Sequence, residues 1–305
     1  IPAGCDTVIM QEHAERIDDD TIRIGSGQRT GQNVRYAGED ISRGSTVFET
    51  GRILTPADIG ILASLGVAEV KTRVRPRVAF FSTGDELVGV GQPLDEGEIY
   101  DSNRYSLYGM LHRLNVDIID MGVIPDDPDA LRKTFKDAGR IADMVITSGG
   151  VSVGEADYTK PILDEMGDKH VWRIAMKPGR PLVFGKLGEA LFFGLPGNPV
   201  AVMVTFYQFV QPAIEILTSG KAKQPLMIAA SASRDIRKRA GRFEFLRGLF
   251  EQDGNGQFTV APTGTQGSGI LTSMSKANCF IHLPEENAGV AEGETVLIQP
   301  FDALI

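Results

Sequence analysis

Residues 142–160, ADMVITSGGVSVGEADYTK, are the part of this chain that indicates its fold class most clearly. The apolar run 144–146 is typical of a buried strand, and the glycines after it interrupt regular structure. Glu155, Asp157 and Lys160 follow before an apolar helical pattern begins. A strand that gives way to glycines and then to a helix lets the backbone approach a ligand, and the charges indicate an anionic, metal-bound ligand.

The glycines of this stretch are equally compatible with a tight turn. Gly149 and Gly154 have the spacing of a P-loop, but Glu155 and Ala156 stand where that loop needs Lys followed by Ser or Thr. The dinucleotide-binding glycine pattern fails as well, because Val151 occupies its second glycine position. Neither of these two nucleotide-binding motifs is therefore present.

The composition of the 305 residues is that of an ordinary soluble protein of two or three domains, with 42% hydrophobic and 23% charged residues. A net charge of −9 argues against general nucleic-acid binding. The longest apolar stretch, around 200–210, is too short to span a membrane. Cys5 and Cys279 lie far apart without metal-ligand spacing, which favours a reducing cytoplasm.

The chain begins at Ile1, and its opening segment has the pattern of a strand without an earlier partner. We expect a further N-terminal portion to precede it. Residues 1–52 are polar and glycine-rich, and they are predicted to be the strand-rich remainder of N-terminal domains.

Residues 53–75 are predicted to form a connection of one helix and one strand. The helix, over 55–66, has Thr55 as N-cap and Asp58 as the partner in a capping box. Its apolar face is predicted to carry Ile59, Leu62 and Leu65. The run 67–74 is strand-like.

Residues 76–221 alternate between strand and helix patterns, which predicts a three-layer α/β domain with a mostly parallel sheet. Strands are predicted at 78–81, 118–124, 144–147, 171–176, 182–184 and 190–193. Helices are predicted at 102–114, from Pro128 with Asp127 as cap, at 158–166, and at 199–217 with Asn198 as cap and a kink at Pro212. Residues 222–305 carry short alternating runs and are predicted to form an all-β barrel or sandwich.

Four loops follow strand ends of the predicted parallel sheet, so they should lie at one edge, where such sheets bind ligands. Carboxylates occur in three of these loops. They are Asp85, Glu86, Asp126, Asp127, Glu155 and Asp157. Carboxylates gathered in this way favour Mg²⁺ shared with a substrate phosphate. Arg173, Lys177 and Arg180 are candidates to hold phosphate or another oxyanion.

Each feature also has a simpler interpretation. Asp127 fits a helix N-cap, Asp85 the closure of a turn, and the prolines near 196–199 a rigid start of a helix. Glu86 has no such structural role. The convergence of the loops on one edge favours a ligand site.

Several motifs together resemble those of the molybdopterin molybdenumtransferase family, which includes the MoeA proteins and the E domain of gephyrin. The matching segments are 34–40 (VRYAGED), 82–87 (STGDEL), 100–103 (YDSN), 126–128 (DDP), 148–160, 176–181 (MKPGRP), 195–199 (LPGNP) and 266–268 (QGS). The resemblance covers nearly the whole chain.

The resemblance implies an activity: Mg²⁺-dependent insertion of molybdate into adenylylated molybdopterin, with release of AMP. It also implies an elongated homodimer whose site lies between two subunits. Molybdopterin adenylyltransferase and molybdoenzyme-maturation proteins are the implied partners, without nucleic acid or membrane.

The resemblance also implies roles for individual residues. The pterin-phosphate pocket would be lined by Gly149, Gly150, Ser152 and Gly154, with Pro196, Asn198 and Pro199 at its rim. Glu86 and Asp157 would hold the metal, and Asp126 the metal or the adenylate. Lys177 and Arg173 would engage anions, as would Arg247 and Ser268 of the β domain. Arg35 and Asp40 would reach across the dimer. Arg173 stands where some relatives have lysine.

Two other functions remain open on the sequence. One is a molybdopterin adenylyltransferase or nucleotide-pyrophosphate hydrolase with a similar α/β domain. The segments 1–52 and 222–305 argue against it, because the simpler adenylyltransferases lack both. The other is a scaffold that binds a pterin or a receptor peptide.

Overall fold

The computed structural model describes residues 1–150 and 159–301 of the chain. The predictions for Ser152, Gly154 and Asp157 lie outside the described residues. The chain divides into two compact units, Ile1–Arg52 and Ile53–Ile305.

The first unit contains one antiparallel hairpin, formed by β1 (Ala14–Arg16) and β2 (Ile22–Ile24). A 3₁₀ turn, Gln11–His13, precedes it. The predicted strand character of residues 1–52 is confirmed in this hairpin, and turns and irregular segments make up the rest.

The second unit begins with α1 (Pro56–Ser64), and the predicted capping box is present. The Asp58 amide donates to Thr55 Oγ1 at 3.3 Å, and the Thr55 amide donates to Asp58 Oδ2 at 2.9 Å. Ile59 and Leu65 of the predicted apolar face are 59% and 45% exposed. The prediction of a strand over 67–74 is wrong, because no strand among the described residues pairs with this segment.

The central sheet has the strand order β6-β3-β7-β11-β10-β8. Its strands are β3 (Arg77–Thr83), β6 (Asp117–Ile124), β7 (Met144–Ser148), β8 (Gly167–Arg173), β10 (Pro181–Leu187) and β11 (Ala190–Leu195), and the short strands β4 (Leu87–Val88), β5 (Ile99–Tyr100) and β9 (Met176–Lys177) lie outside it. The first four strands in the spatial order are parallel, and β10 is antiparallel to both of its neighbours. The predicted mostly parallel sheet is confirmed.

Helices cover both faces of this sheet. They are α2 (Ser102–Arg113), α3 (Pro128–Ile141), α4 (Thr159–Met166), α5 (Pro199–Thr205) and α6 (Gln211–Ser219). Alternate residues of β3 point to opposite sides: Phe80 packs in the cluster with Leu107 of α2, and Phe81 in the cluster with Phe135 of α3. This period of two builds the predicted three layers.

A π-helical turn, Phe206–Val210, separates α5 from α6. The kink predicted at Pro212 stays a prediction, and Pro212 is the second residue of α6, directly after this turn. Pro212 lacks an amide hydrogen and its ring would crowd the carbonyl of Gln208, which the wider turn relieves. The helical run Pro199–Ser219 has the length and hydropathy of a membrane span, and half of it is buried inside the protein.

The C-terminal region is a closed barrel, as predicted. Its strands are β12 (Ile228–Ala232), β14 (Phe243–Gln252), β15 (Phe258–Pro262), β16 (Cys279–Leu283) and β18 (Thr295–Pro300), with β13 (Ile236–Arg237) and β17 (Gly289–Val290) paired beside them. Closure comes from β14, which pairs with both β15 and β16. A short helix, α7 (Leu271–Lys276), was not predicted.

The barrel and the α/β domain are joined by a strand pairing and by a common hydrophobic cluster. The short strand β9 leaves the α/β domain and pairs in parallel with β14. A joint hydrophobic cluster contains Met176 of β9, Val200 and Val204 of α5, and Phe245 and Phe280 of the barrel. This junction fixes the barrel next to the helix that follows β11.

Candidate functional site

The four predicted loops meet at one edge of the sheet. They follow β6, β3, β7 and β11, which are adjacent and parallel. The Asp126 amide donates to Asp85 Oδ1 at 3.0 Å, and the Gly149 amide donates to the Leu195 carbonyl at 3.2 Å. The edge therefore has the position expected of a ligand site in an open α/β sheet.

Gly149 lies closer to a neighbouring strand than any other residue type allows. Its φ is +90°, and a Cβ placed on it would lie 2.5 Å from the Thr83 carbonyl oxygen. Gly150 also has positive φ, at +65°. The glycine pair is required by the backbone, which presents peptide groups rather than side chains at this point of the edge.

Four carboxylates of the described residues, those of Asp85, Glu86, Asp126 and Asp127, lie in the loops at this edge. A Cβ on Gly84 would lie 2.5 Å from Glu86 Oε2, so the Glu86 side chain folds back over that glycine. Burial raises the pKa of Asp126, and the charges of Asp85 and Glu86 raise it further. Mutual repulsion of this kind is what a bound cation relieves. Asp127 has the simpler role, since its Oδ1 accepts from the Ala130 amide at 2.8 Å as the N-cap of α3.

The carboxylate oxygens suit Mg²⁺, which binds through one or two carboxylates together with substrate phosphates. Glu86 and Asp126 are the described side chains that could hold it. Within 1–150 and 159–301, no group of three or more acidic, His or Cys side chains has metal-binding geometry. Asp157, the other predicted ligand, lies outside these ranges.

Buried polar atoms without a hydrogen-bond partner among the described residues are concentrated around this edge. They are Ser82 Oγ, Thr83 Oγ1, Asp101 Oδ2, Asn103 Oδ1 and Thr147 Oγ1. Such atoms cost roughly 1–3 kcal/mol each and are rare in native interiors. They lie at the ends of β3 and β7 and at the start of α2, which supports a functional site here.

A loop of the barrel caps α5. Asn198 occupies the N-cap position, but its side chain makes no capping hydrogen bond, so that part of the prediction is wrong. The reason is that the Val200 amide donates instead to the Ser268 carbonyl at 3.0 Å. The backbone at Ser268 thus joins the barrel to the loop that contains Pro196, which is buried, and Asn198, which is exposed.

Arg247 is fully buried and holds this barrel loop. Its Nε donates to Ser273 Oγ at 2.9 Å and its Nη2 donates to the Gly267 carbonyl at 3.0 Å. Burial lowers the pKa of Arg247 to about 10. Direct contact of its guanidinium with an anion, as predicted, would require the loop to open, since no part of the side chain is exposed.

The predicted cations take two different positions. Arg173 is exposed at the end of β8, and β8 runs in the direction of β11, so Arg173 lies at the ligand edge. Lys177 lies on β9 against the barrel, where its Nζ is 3.3 Å from Glu244 Oε2. The Lys177 side chain is 48% exposed and that of Glu244 is 7% exposed.

Lys177 and Glu244 also line a cavity of about 1000 Å³ on the barrel. Arg237, Lys238 and Arg242 contribute further positive charge to its wall. The cavity is thus predominantly cationic.

Arg35 and Asp40 belong to the first unit. The Arg35 side chain is 91% exposed and forms an ion pair with Glu39 at 3.0 Å. Asp40 is exposed as well. Both side chains therefore lie at the surface of the described chain.

Two residues of the site were missed in the sequence. Asn103 bridges two of the edge loops, and its only sequence signal was its place in the YDSN segment. Glu244 pairs with Lys177 across 67 positions, and no local pattern indicates such a pair.

Comparison with known proteins agrees with this architecture. Residues 79–216 match the profile of the "Probable molybdopterin binding domain", residues 229–301 that of the "MoeA C-terminal region (domain IV)", and residues 1–66 that of the "MoeA N-terminal region (domain I and II)". The chain is 47% identical to the molybdopterin molybdenumtransferase of Haemophilus influenzae, across 100% of this chain and 76% of that protein. It is 38% identical to the enzyme of the same name from a Nostoc species, across 98% and 69%.

A solved structure supports the same relationship. The molybdopterin biosynthesis moeA protein of Pyrococcus horikoshii superimposes with a TM-score of 0.80 at 31% identity, covering 98% of this chain and 73% of that one. The α/β layers and their ligand edge place the central domain in the molybdopterin-binding class. The whole chain belongs to the molybdopterin molybdenumtransferase family and is an enzyme of that family.

Proposed function

We propose that this chain inserts molybdate into adenylylated molybdopterin and releases AMP in an Mg²⁺-dependent reaction of molybdenum cofactor biosynthesis. The observation that carries the proposal is the meeting of Glu86, Asp126 and the Gly149 backbone at one sheet edge. The family relationship supports molybdopterin as the ligand class.

The chain's own residues have separable tasks in this reaction. The backbone at Gly149 and Gly150 binds the phosphate of the pterin through peptide groups, since the positive φ of both residues and the tight contact of Gly149 with Thr83 leave no side chain there. Arg173 and Lys177 attract molybdate and the phosphates, which are all anions. The partner of Lys177, Glu244, is buried and fixes the direction of the ammonium group.

Glu86 and Asp126 would hold Mg²⁺. When bound, Mg²⁺ neutralises the negative charge that develops as the pyrophosphate link is cleaved. Asp126 is suited to this position, because its charged form is disfavoured in the protein without a cation nearby. Asp157 is proposed as a further ligand on the resemblance of its motif.

The test is the rate of AMP release from adenylyl-molybdopterin by Glu86→Ala. We expect a loss of roughly 100-fold, because an electrostatic contact to the reacting group is removed. Glu96→Ala is the matched control: the same change at an exposed position ten residues away should leave the rate within about twofold. Wild-type turnover by Glu86→Ala would remove the carboxylate site.

We also propose that the enzyme works as a homodimer in the cytoplasm. The exposed Arg35 and Asp40 would then complete the site of the partner subunit. Cys5 and Cys279 are both free thiols, which is compatible with a reducing compartment.

A further inference from the structure

We propose that Asn103 is a positioning residue that sets the spacing between the two ligand loops after β7 and β11. The inference rests on the proposed function, in which the loop after β7 binds the pterin phosphate and the loop after β11 forms the rim of that pocket. Asn103 itself is only 7% exposed and acts through the loops.

The amide of Asn103 joins the two loops directly. Its Nδ2 donates to Ser148 Oγ at 2.9 Å and to the Gly197 carbonyl at 2.6 Å. A primary amide has two N–H donors, and both are used here. The two acceptors lie 45 and 94 positions away in the chain, so one side chain links three separate segments.

The two loops touch at the place where the amide bridges them. The Gly149 amide donates to the Leu195 carbonyl at 3.2 Å, and a Cβ on Gly197 would lie 3.9 Å from the Gly149 Cα. A change in the bridge therefore changes the position of the glycine backbone relative to the loop after β11.

The start of α2 holds the amide in a fixed place. Asp101 is the N-cap, and its Oδ1 accepts from the Arg104 amide at 3.1 Å. The Arg104 guanidinium is paired with Asp120 at 2.8 Å on β6. The helix start is thus tied to the middle of β6.

The amide oxygen shows that this position is costly for the fold. Asn103 Oδ1 is buried and has no hydrogen-bond partner among the described residues. An apolar side chain of similar size would avoid that cost. The amide is favoured here by what its two donors hold in place.

The experiment measures the Kd for adenylyl-molybdopterin by anaerobic calorimetry with the full chain. Asn103→Asp keeps the shape but replaces the donors with an acceptor that repels the Gly197 carbonyl. We expect its Kd to rise at least about tenfold, by more than the loss of folded protein accounts for, because the buried charge also lowers the Tm. Asn115→Asp, the same change at an exposed position, should bind like wild type.

Hydrogen exchange separates positioning from a general structural role. The Gly149 amide, which donates to the Leu195 carbonyl, should exchange at least about tenfold faster in Asn103→Asp, while the amides of α2 stay protected. Exposure of the whole helix, or a Kd that rises only in proportion to lost folded protein, would overturn the inference. So would a wild-type Kd in the variant.

Ser148→Ala keeps the inference testable if the Asn103 variant does not fold. It removes one acceptor of the bridge and should raise the Kd at least about threefold. An unchanged Kd overturns the inference. If the wild-type chain neither binds adenylyl-molybdopterin nor releases AMP, the proposed function fails. If the wild-type chain does both, the Asn103 variant tests only the bridge between the loops.

Discussion

Asp126 is a site residue whose charged form lowers the stability of the folded protein. Its charged form is disfavoured by burial and by the neighbouring charges of Asp85 and Glu86, so its pKa is raised. A raised carboxyl pKa gives a contribution to stability that is complete below the unfolded pKa and lost as the pH rises through the folded pKa. At neutral pH the charged side chain therefore weakens the fold.

We predict that Asp126→Asn raises the Tm at pH 7 by roughly 2–4 °C and removes most AMP release. The gain in Tm should shrink as the pH is lowered from 7 to 4, because the raised pKa lets the wild-type carboxyl take up its proton before an unfolded aspartate does. Differential scanning calorimetry at the two pH values checks this. Asp137→Asn, the same change at an exposed position of α3, is the control and should change neither quantity. A lower Tm for Asp126→Asn at pH 7 would contradict the account.

Among the elements, the loop after β7 requires glycine at position 149 for two reasons, its positive φ and its close contact with Thr83. Gly149 has positive φ, and its Cα lies against the Thr83 carbonyl. Gly188, in the hairpin between β10 and β11, has a φ of +60°, and a methyl group placed on it would meet no heavy atom of the described residues within 4 Å. An alanine at position 188 therefore introduces backbone strain alone, whereas an alanine at position 149 introduces both strain and a steric clash.

Gly149→Ala should lower the free energy of unfolding by about 2–4 kcal/mol, because strain and a clash with backbone add. Gly188→Ala should lower it by about 1 kcal/mol, since strain acts alone. Urea denaturation measures both values. Ligand binding should be lost in Gly149→Ala and kept in Gly188→Ala. Equal destabilisation of the two variants would show that the approach to Thr83 is not tight.

The elements that sequence predicted well are those that depend on local pattern. The strand at Met144–Ser148, the cap at Asp127 and the capping box at Thr55 follow from neighbouring residues, and the shared edge follows from parallel topology. The hydrogen bond that caps α5 could not be predicted from the residues next to it in the sequence. Its acceptor is the Ser268 carbonyl, which belongs to another domain and replaces the Asn198 side chain.

Local sequence pattern also does not predict that a single charged side chain is buried. Arg247 has the charge expected of an anion contact, yet it is fully buried and bonded to Ser273 and Gly267. The strand-like run 67–74 failed for a related reason, because a strand also needs a partner. Both outcomes depend on residues distant in the sequence.

At the scale of the whole molecule, β9 and the shared cluster around Phe245 join the barrel to the α/β domain. Lys177 is carried on β9, so its position depends on the barrel as well as on the central sheet. In the proposed dimer the site also depends on a second subunit, because Arg35 and Asp40 would act on the partner's site.

Mixing two inactive variants tests that proposal. Asp40→Ala and Glu86→Ala, allowed to exchange subunits, should form mixed dimers with one intact site each. The mixture should recover about a quarter of wild-type AMP release, since half of the dimers are mixed. Sedimentation velocity confirms that dimers are present. No recovery from exchanged dimers would place all site residues within one subunit.

We propose that this edge of the sheet couples cleavage of the adenylate to the insertion of molybdate. The rate of AMP release from adenylyl-molybdopterin by the wild-type chain with Mg²⁺, measured with and without molybdate, tests this coupling. We expect a rate at least about tenfold higher with molybdate. Equal rates in both conditions would contradict it and would identify the chain as a pyrophosphate hydrolase of the same fold.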